Sequence, residues 1–210
     1  MNSFPSNPDL IQRTKALAAL DLIMSPEWDG RYYSFNCAWS PSEQMASMRD
    51  GCGDEWWIVF HTDGWAALKG LGHESPAWSK GREQLSTDLQ RTFPPELAAF
   101  ATEPAFRWDA TSFAGYRLHP HSDWIWSRSL TRFSALNGGE TELLSLLSGT
   151  PQDYVDFAAT YYETDVPLEI VERFFGLAPI TMDMISSLNP DTELSAIHTE
   201  LFDEIAYPRN

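Results

Sequence analysis

Apolar residues recur at helical spacing through Leu10, Leu17, Leu20 and Met24. The Asn7-Pro8 pair ahead of them is a helix start: an asparagine side chain accepts early free N–H groups, and proline at the first helical position has no N–H to leave unpaired. Pro26 closes that helix. Over residues 31–39 the period drops to two, with Tyr33, Phe35, Cys37 and Trp39 on one face and Ser34 and Asn36 on the other, which predicts a half-buried strand. Residues 55–61 are apolar on both faces, meet Asp63-Gly64, and resume as an apolar run over 65–69. Asp-Gly tolerates the positive φ of a tight turn, so the pair predicts a β-hairpin.

Close punctuation by Gly70, Gly72, Ser75, Pro76 and Gly81 predicts a loop and then a short polar helix within residues 70–92. Pro94-Pro95 opens another short helix through Phe100. Residues 112–118 and 123–127, joined by His119-Pro120-His121-Ser122, predict a second hairpin. Beyond Asn137-Gly138-Gly139 the period is helical to the end. Thr150-Pro151, Val166-Pro167 and Asn189-Pro190 are helix starts; Gly149 and Gly176 are stops. Leu194, Ile197, Leu201, Phe202 and Ile205 form the clearest apolar stripe, with Glu193, Glu200, Asp203 and Glu204 mostly outside it. The pattern predicts an α+β fold: an N-terminal helix, an antiparallel sheet of about four to six strands, and four or five short acidic helices. It divides the chain into a sheet domain over residues 1–137 and an acidic helical segment over 138–210 packed on it, or makes one domain of 1–210.

Composition sharpens that division. The 210 residues carry 14 Lys+Arg against 30 Asp+Glu, a formal charge of −16, and all nine tryptophans fall at or before Trp126. Residues 139–210 have only Arg173 and Arg209 as bases, and contribute −12. Such a field repels nucleic-acid phosphate and anionic lipid and steers a basic protein inward. Nucleic acid and membrane are therefore not expected partners, whereas a basic protein is. Apolar runs such as 56–60 fall far short of the roughly 18 residues a membrane span needs. The opening residues lack a basic region and an apolar run, which argues against a secretory signal. Cys37 and Cys52 are too few for a disulfide framework, so reduced thiols and a cytoplasmic location are expected. The sequence does not define an oligomeric state.

Candidate chemistry is sparse. His61, Asp63, His73 and Glu74 flank the first hairpin; converging on its open end, they would pair a general base with an orienting carboxylate. His119, His121 and Asp123 are metal-competent side chains at alternate positions, although Pro120 interrupts the extended geometry that would align them. The structural alternatives are that Asp63 serves the turn, that His73 and Glu74 order the next loop, and that the 119–123 histidines are hairpin surface. Cys52, between Gly51 and Gly53, lacks a recognisable nucleophile setting. No Gly-x-Ser-x-Gly, P-loop or dinucleotide-binding glycine pattern occurs, and no cofactor is expected. Trp56, Trp57 and Trp65 read as core and Trp124 and Trp126 as one strand face; exposure of Trp78 or Trp108 would suggest a binding surface.

The segment Met45-Ala-Ser-Met-Arg-Asp-Gly-Cys-Gly-Asp-Glu55, with Leu68-Lys-Gly-Leu-Gly-His-Glu-Ser75 after it, resembles a family of small bacterial cytosolic proteins that have no established activity. That resemblance extends through Glu103-Pro-Ala-Phe106 into the tail and implies that Arg49, Asp50, Asp54, Glu55, Lys69, His73 and Glu74 form one structural or binding unit. By size, charge and architecture, the chain also resembles the acidic immunity proteins of bacterial polymorphic toxin systems. The resulting expectation is a protein-binding module, an immunity-type inhibitor covering a basic toxin or nuclease through Asp153, Asp156, Glu163, Asp165, Glu169 and Glu172. The alternatives are a metal-assisted or acid/base hydrolase near the first hairpin, and a non-catalytic scaffold. Non-enzymatic readings are favoured because no catalytic motif is present.

Overall fold

A computed structural model describes residues 4–119 and 122–209. Its elements run α1 (Asn7–Met24), β1 (Tyr33–Ser40), β2 (Glu43–Arg49), β3 (Glu55–His61), β4 (Ala66–Leu71), α2 (Pro76–Gln90), α3 (Ala98–Thr102), β5 (Phe113–Arg117) and β6 (Ile125–Trp126). Then follow α4 (Glu140–Leu143), α5 (Ser145–Ser148), α6 (Pro151–Tyr161), α7 (Leu168–Phe175), α8 (Met182–Leu188) and α9 (Leu194–Thr199), the last running into a π-helical turn at Glu200–Glu204. The six strands form one antiparallel sheet whose spatial order is the chain order. The class is α+β, as the periodicities predict. β2 has no clear signal in the sequence, because its burial does not alternate: Ala46, Ser47 and Met48 are buried in succession.

Two compact units divide the chain differently from composition. One comprises residues 1–7 and 47–145; the other comprises 8–46 and 146–210, so that α1 and β1 belong with the C-terminal helices.

In the first unit, β3 and β4 pair in register from Glu55 with Leu71 to Phe60 with Ala66. The turn between them is closed by the Gly64 N–H on the His61 carbonyl at 2.9 Å, with Gly64 at φ 93°. All six residues of β4 are buried. Aromatic rings fill the space beside them: Phe100 packs on Phe93, Phe106 and Trp108, and Phe106 on Trp57, at centroid distances of 5.1 to 6.0 Å. β5 lies next to β4, where Gly70 admits the Phe113 ring; a Cβ on Gly70 would come within 2.1 Å of it. The Trp56 indole N–H reaches the Leu143 carbonyl at 3.0 Å. Arg128 grips the 134–140 segment by donating from Nε to Glu140 Oε1 at 2.6 Å and from Nη1 to the Ser134 carbonyl at 2.7 Å.

The second unit is built around α1, buried at every position from Ala16 to Ile23. Its polar side chains finish other elements: Gln12 donates to the Phe175 carbonyl at 2.6 Å, Arg13 to the Gly149 carbonyl at 2.7 Å, and Lys15 to the Ala206 carbonyl at 3.3 Å. Such donors satisfy the carbonyls that helix ends leave free. The Asn189-Pro190 pair does not start a helix. Asn189 ends α8, and its Nδ2 donates to the Ile23 and Met24 carbonyls at 3.1 and 3.2 Å, closing the end of α1. α9 starts only at Leu194. Thr150-Pro151 does open α6, through a capping box in which Asp153 receives the Thr150 hydroxyl at 2.7 Å.

Candidate functional site

The hairpin register decides the fate of the His61, Asp63, His73 and Glu74 cluster. His61 and Asp63 sit at the turn, while His73 and Glu74 follow β4 at the opposite end. Six paired residues separate the two ends by roughly 17 Å at the rise of an antiparallel strand. The expected convergence therefore does not occur. At the turn, the His61 ring stacks on Trp65 at 4.7 Å and its Nδ1 accepts the Asp63 N–H at 3.0 Å, so the imidazole orders the loop.

At the open end, a different pair forms. Asp54 Oδ1 accepts the His73 backbone N–H at 2.8 Å and meets His73 Nδ1 at 2.7 Å. This hydrogen bond from the imidazole to a carboxylate raises the His73 pKa. Asp50 Oδ1 in turn accepts the N–H groups of Cys52, Gly53 and Asp54 at 2.8 to 2.9 Å, folding the 50–54 loop so that Gly53, at φ 127°, passes close to the His73 ring. A histidine so oriented has one requirement of a general base. No hydrogen bond joins the exposed Cys52 thiol to it among the described residues.

Beneath this end lies Lys69, with no side-chain exposure. Its Nζ donates to the carbonyls of Phe106 and Ala110 at 2.8 and 2.9 Å and to Glu55 Oε1 at 3.4 Å, and lies 4.6 Å from the Trp57 ring centroid. Burial pushes the ammonium down to about 8, against the opposing pull of Glu55. Burial likewise raises the Glu55 carboxyl. A lysine this enclosed is a structural cation, since no open side remains for a substrate. The geometry thus brings Asp50, Asp54, Glu55, Lys69 and His73 to one end of the hairpin.

Of the 119–123 trio, His121 lies outside the described residues, as does Pro120. His119 and Asp123 are exposed, and the Ser122 hydroxyl donates to the His119 carbonyl at 2.9 Å. Among the described residues no group of three His, Cys, Asp or Glu is arranged to hold a metal ion. The tryptophans are mainly structural. Trp56, Trp57 and Trp108 are buried, and the Trp108 indole donates to the Phe100 carbonyl at 2.9 Å. Trp124 and Trp126 stack at 6.1 Å, and Trp78 is half-buried.

The six acidic candidates share one stretch of the second unit, where α6 packs against α7. Asp153 and Asp156 lie on α6, Glu163 and Asp165 in the connection, Glu169 and Glu172 on α7, and all six are exposed. None forms an ion pair among the described residues. Hydrogen bonds from Thr150 lower the Asp153 pKa. Exposed apolar side chains lie along the same stretch: Tyr161, which stacks on Phe157 at 5.3 Å, and Leu168.

The sequence pattern does not single out Asp21. It is fully buried in α1, and its Oδ2 accepts the N–H groups of Tyr32 and Tyr33 at 2.9 and 2.7 Å. Its available signal is that of one acidic residue inside the apolar run 16–24. No protein-family model, curated protein or solved structure matches this chain.

Proposed function

We propose that this chain is a protein-binding module whose α6–α7 stretch takes a basic partner, in the manner of an immunity-type inhibitor covering a cationic toxin or nuclease. The observation that carries this reading is the set of six exposed carboxylates between Asp153 and Glu172, none in an ion pair among the described residues, in a stretch with no Lys or Arg from residue 139 to 172. Carboxylates without ion-pair partners, set at fixed positions on two helices and their connection, raise association rates and orient a cationic surface. Tyr161 and Leu168 supply the desolvated contacts that hold a complex once formed.

The test is affinity capture from the native host at low and moderate salt, comparing wild type with a variant carrying Asp156, Glu163, Asp165, Glu169 and Glu172 as lysines. Asp153 is left intact because it caps α6. A stoichiometric basic protein that elutes as salt rises and is lost from the variant supports the reading. A partner that remains on the variant overturns it.

A further inference from the structure

The first unit holds an open groove of about 530 Å³, lined among others by Trp78, Arg82, Glu83, Arg107, Asp109 and Ala110. Two features set it apart. Arg82 has φ 40° and ψ −128°, and Arg107 has φ 47° and ψ 59°. These are the non-glycine residues with positive φ among the described residues of this unit, and both line this one groove. Glycine adopts such conformations freely and other residues do so at a cost.

Arg107 closes the Pro104–Phe106 turn with its N–H on the Pro104 carbonyl, and such a left-handed turn end is ordinarily filled by glycine or asparagine rather than arginine. Gly81 immediately precedes Arg82, and packing explains that glycine: a Cβ there would come within 2.6 Å of Leu85 Cβ. The chain therefore places glycine where space demands it and arginine where the backbone favours glycine. Residues held against their backbone preference concentrate at binding sites.

The second feature is that neither guanidinium is held by a hydrogen bond or ion pair among the described residues, while Arg107 acts on the Glu55 carboxyl at longer range. Both arginines are exposed, in a chain with more than twice as many acidic as basic residues. The half-buried Trp78 likewise has an indole N–H without a hydrogen bond among the described residues.

The groove wall is tied by hydrogen bonds from behind. The Ala110 carbonyl receives Lys69 Nζ at 2.9 Å, while Ser86 Oγ accepts the Thr111 N–H at 3.0 Å and shares its single proton between the Asp109 and Thr111 carbonyls at 3.0 and 3.1 Å. Lys69 and Ser86 thus fasten the Arg107 loop from two sides, the pre-organisation a binding site needs.

We propose that this groove binds a small molecule through an oxyanion, carboxylate or phosphate, gripped by Arg82 and Arg107, with its body against the Trp78 indole. Glu83 and Asp109 on the same walls accept hydrogen bonds from hydroxyl or amine groups of the ligand. Guanidinium forks match planar carboxylate and phosphate oxygens, which a lysine point charge does not.

The test is NMR titration of the isotope-labelled full chain with inorganic phosphate and, separately, with glutamate, alongside the Arg82→Gly and Arg107→Gly variants. Saturable shifts of the Arg82 and Arg107 Nε–H and Trp78 indole resonances are expected; the probe that causes them tells phosphate from carboxylate. Each glycine variant should weaken binding by about tenfold or more, the scale of one charge-assisted contact, while its Tm equals or exceeds that of wild type. Absence of saturation with both probes overturns the proposal, as does wild-type affinity in the glycine variants. Lost binding together with a lowered Tm also overturns it, because the arginines would then be serving the fold.

Discussion

The Tyr154 hydroxyl on α6 donates to Asp21 Oδ1 on α1 at 3.3 Å, with both side chains fully buried. Together with the Tyr32 and Tyr33 N–H bonds to Oδ2, this contact joins the first helix, the start of β1 and α6 through one carboxyl. The Tyr162 hydroxyl is close enough to feel the Asp21 charge, and it is buried without a well-aligned hydrogen-bond partner among the described residues.

Burial raises the Asp21 carboxyl from 3.8 to about 7 in spite of these hydrogen bonds. The folded state therefore holds this proton more tightly than the unfolded chain. The associated stabilisation is complete below pH 3.8 and is lost as pH rises towards 7. Its size is up to about 4 kcal/mol for a shift of that extent. Asp21→Asn keeps the shape and removes the titration. Urea midpoints measured from pH 4 to 8 should fall with pH more steeply for wild type than for Asp21→Asn, and equal slopes would refute the assignment.

Lys69→Met fills a similar volume but leaves the Phe106 and Ala110 carbonyls without a donor and Glu55 without its cation. Unpairing buried groups of this kind costs about 2–4 kcal/mol. Chemical denaturation should show that loss, with part of it recovered in the Lys69→Met, Glu55→Gln double variant. An unchanged midpoint for the single variant would mean that Nζ does not hold the 106–110 loop.

Gly70→Ala places a methyl group against the Phe113 ring in the β4–β5 pair. The ring is fully buried and has nowhere open to turn. Overpacking of this sort costs about 1–3 kcal/mol. Gly51→Ala makes a useful comparison, since its Cβ would meet nothing within 4 Å and only its φ of 75° opposes it. Thermal melts should rank Gly70→Ala as the more damaging of the two.

Asp153→Ala removes the capping box at the start of α6, where the Thr150 hydroxyl and N–H both donate to the carboxylate. The expected loss is about 0.5–2 kcal/mol. Asp156→Ala, one turn further along the same helix, gives up only an exposed contact with Gln152. Amide exchange through α6 should accelerate in the first variant and remain near wild type in the second.

Signals confined to a few neighbouring residues are legible in the sequence. Asn7-Pro8 before an apolar repeat marks α1, Asp63-Gly64 between two apolar runs marks the β3–β4 hairpin, and Thr150-Pro151 with Asp153 marks α6, because caps and turns are closed by atoms no more than four residues apart. The exposure of Asp153, Asp156, Glu163, Asp165, Glu169 and Glu172 follows the same logic, since a run of charge without counter-charge stays in water. Partners far along the chain were not legible. The strand register sends His61 and His73 to opposite ends of one hairpin, and it buries Lys69 under carbonyls about forty residues away. Asp21 shows in the sequence only as one acidic residue inside an apolar run, and the partners from β1 and α6 that enclose it are far along the chain. Arg82 and Arg107 meet at one groove only once α2 and the 106–111 loop are in place. Local chemistry by itself determined the elements and the sign of the surface; tertiary packing decided which polar groups lose water and which partners replace it, because burial belongs to the assembled core and is not a property of any short stretch of chain.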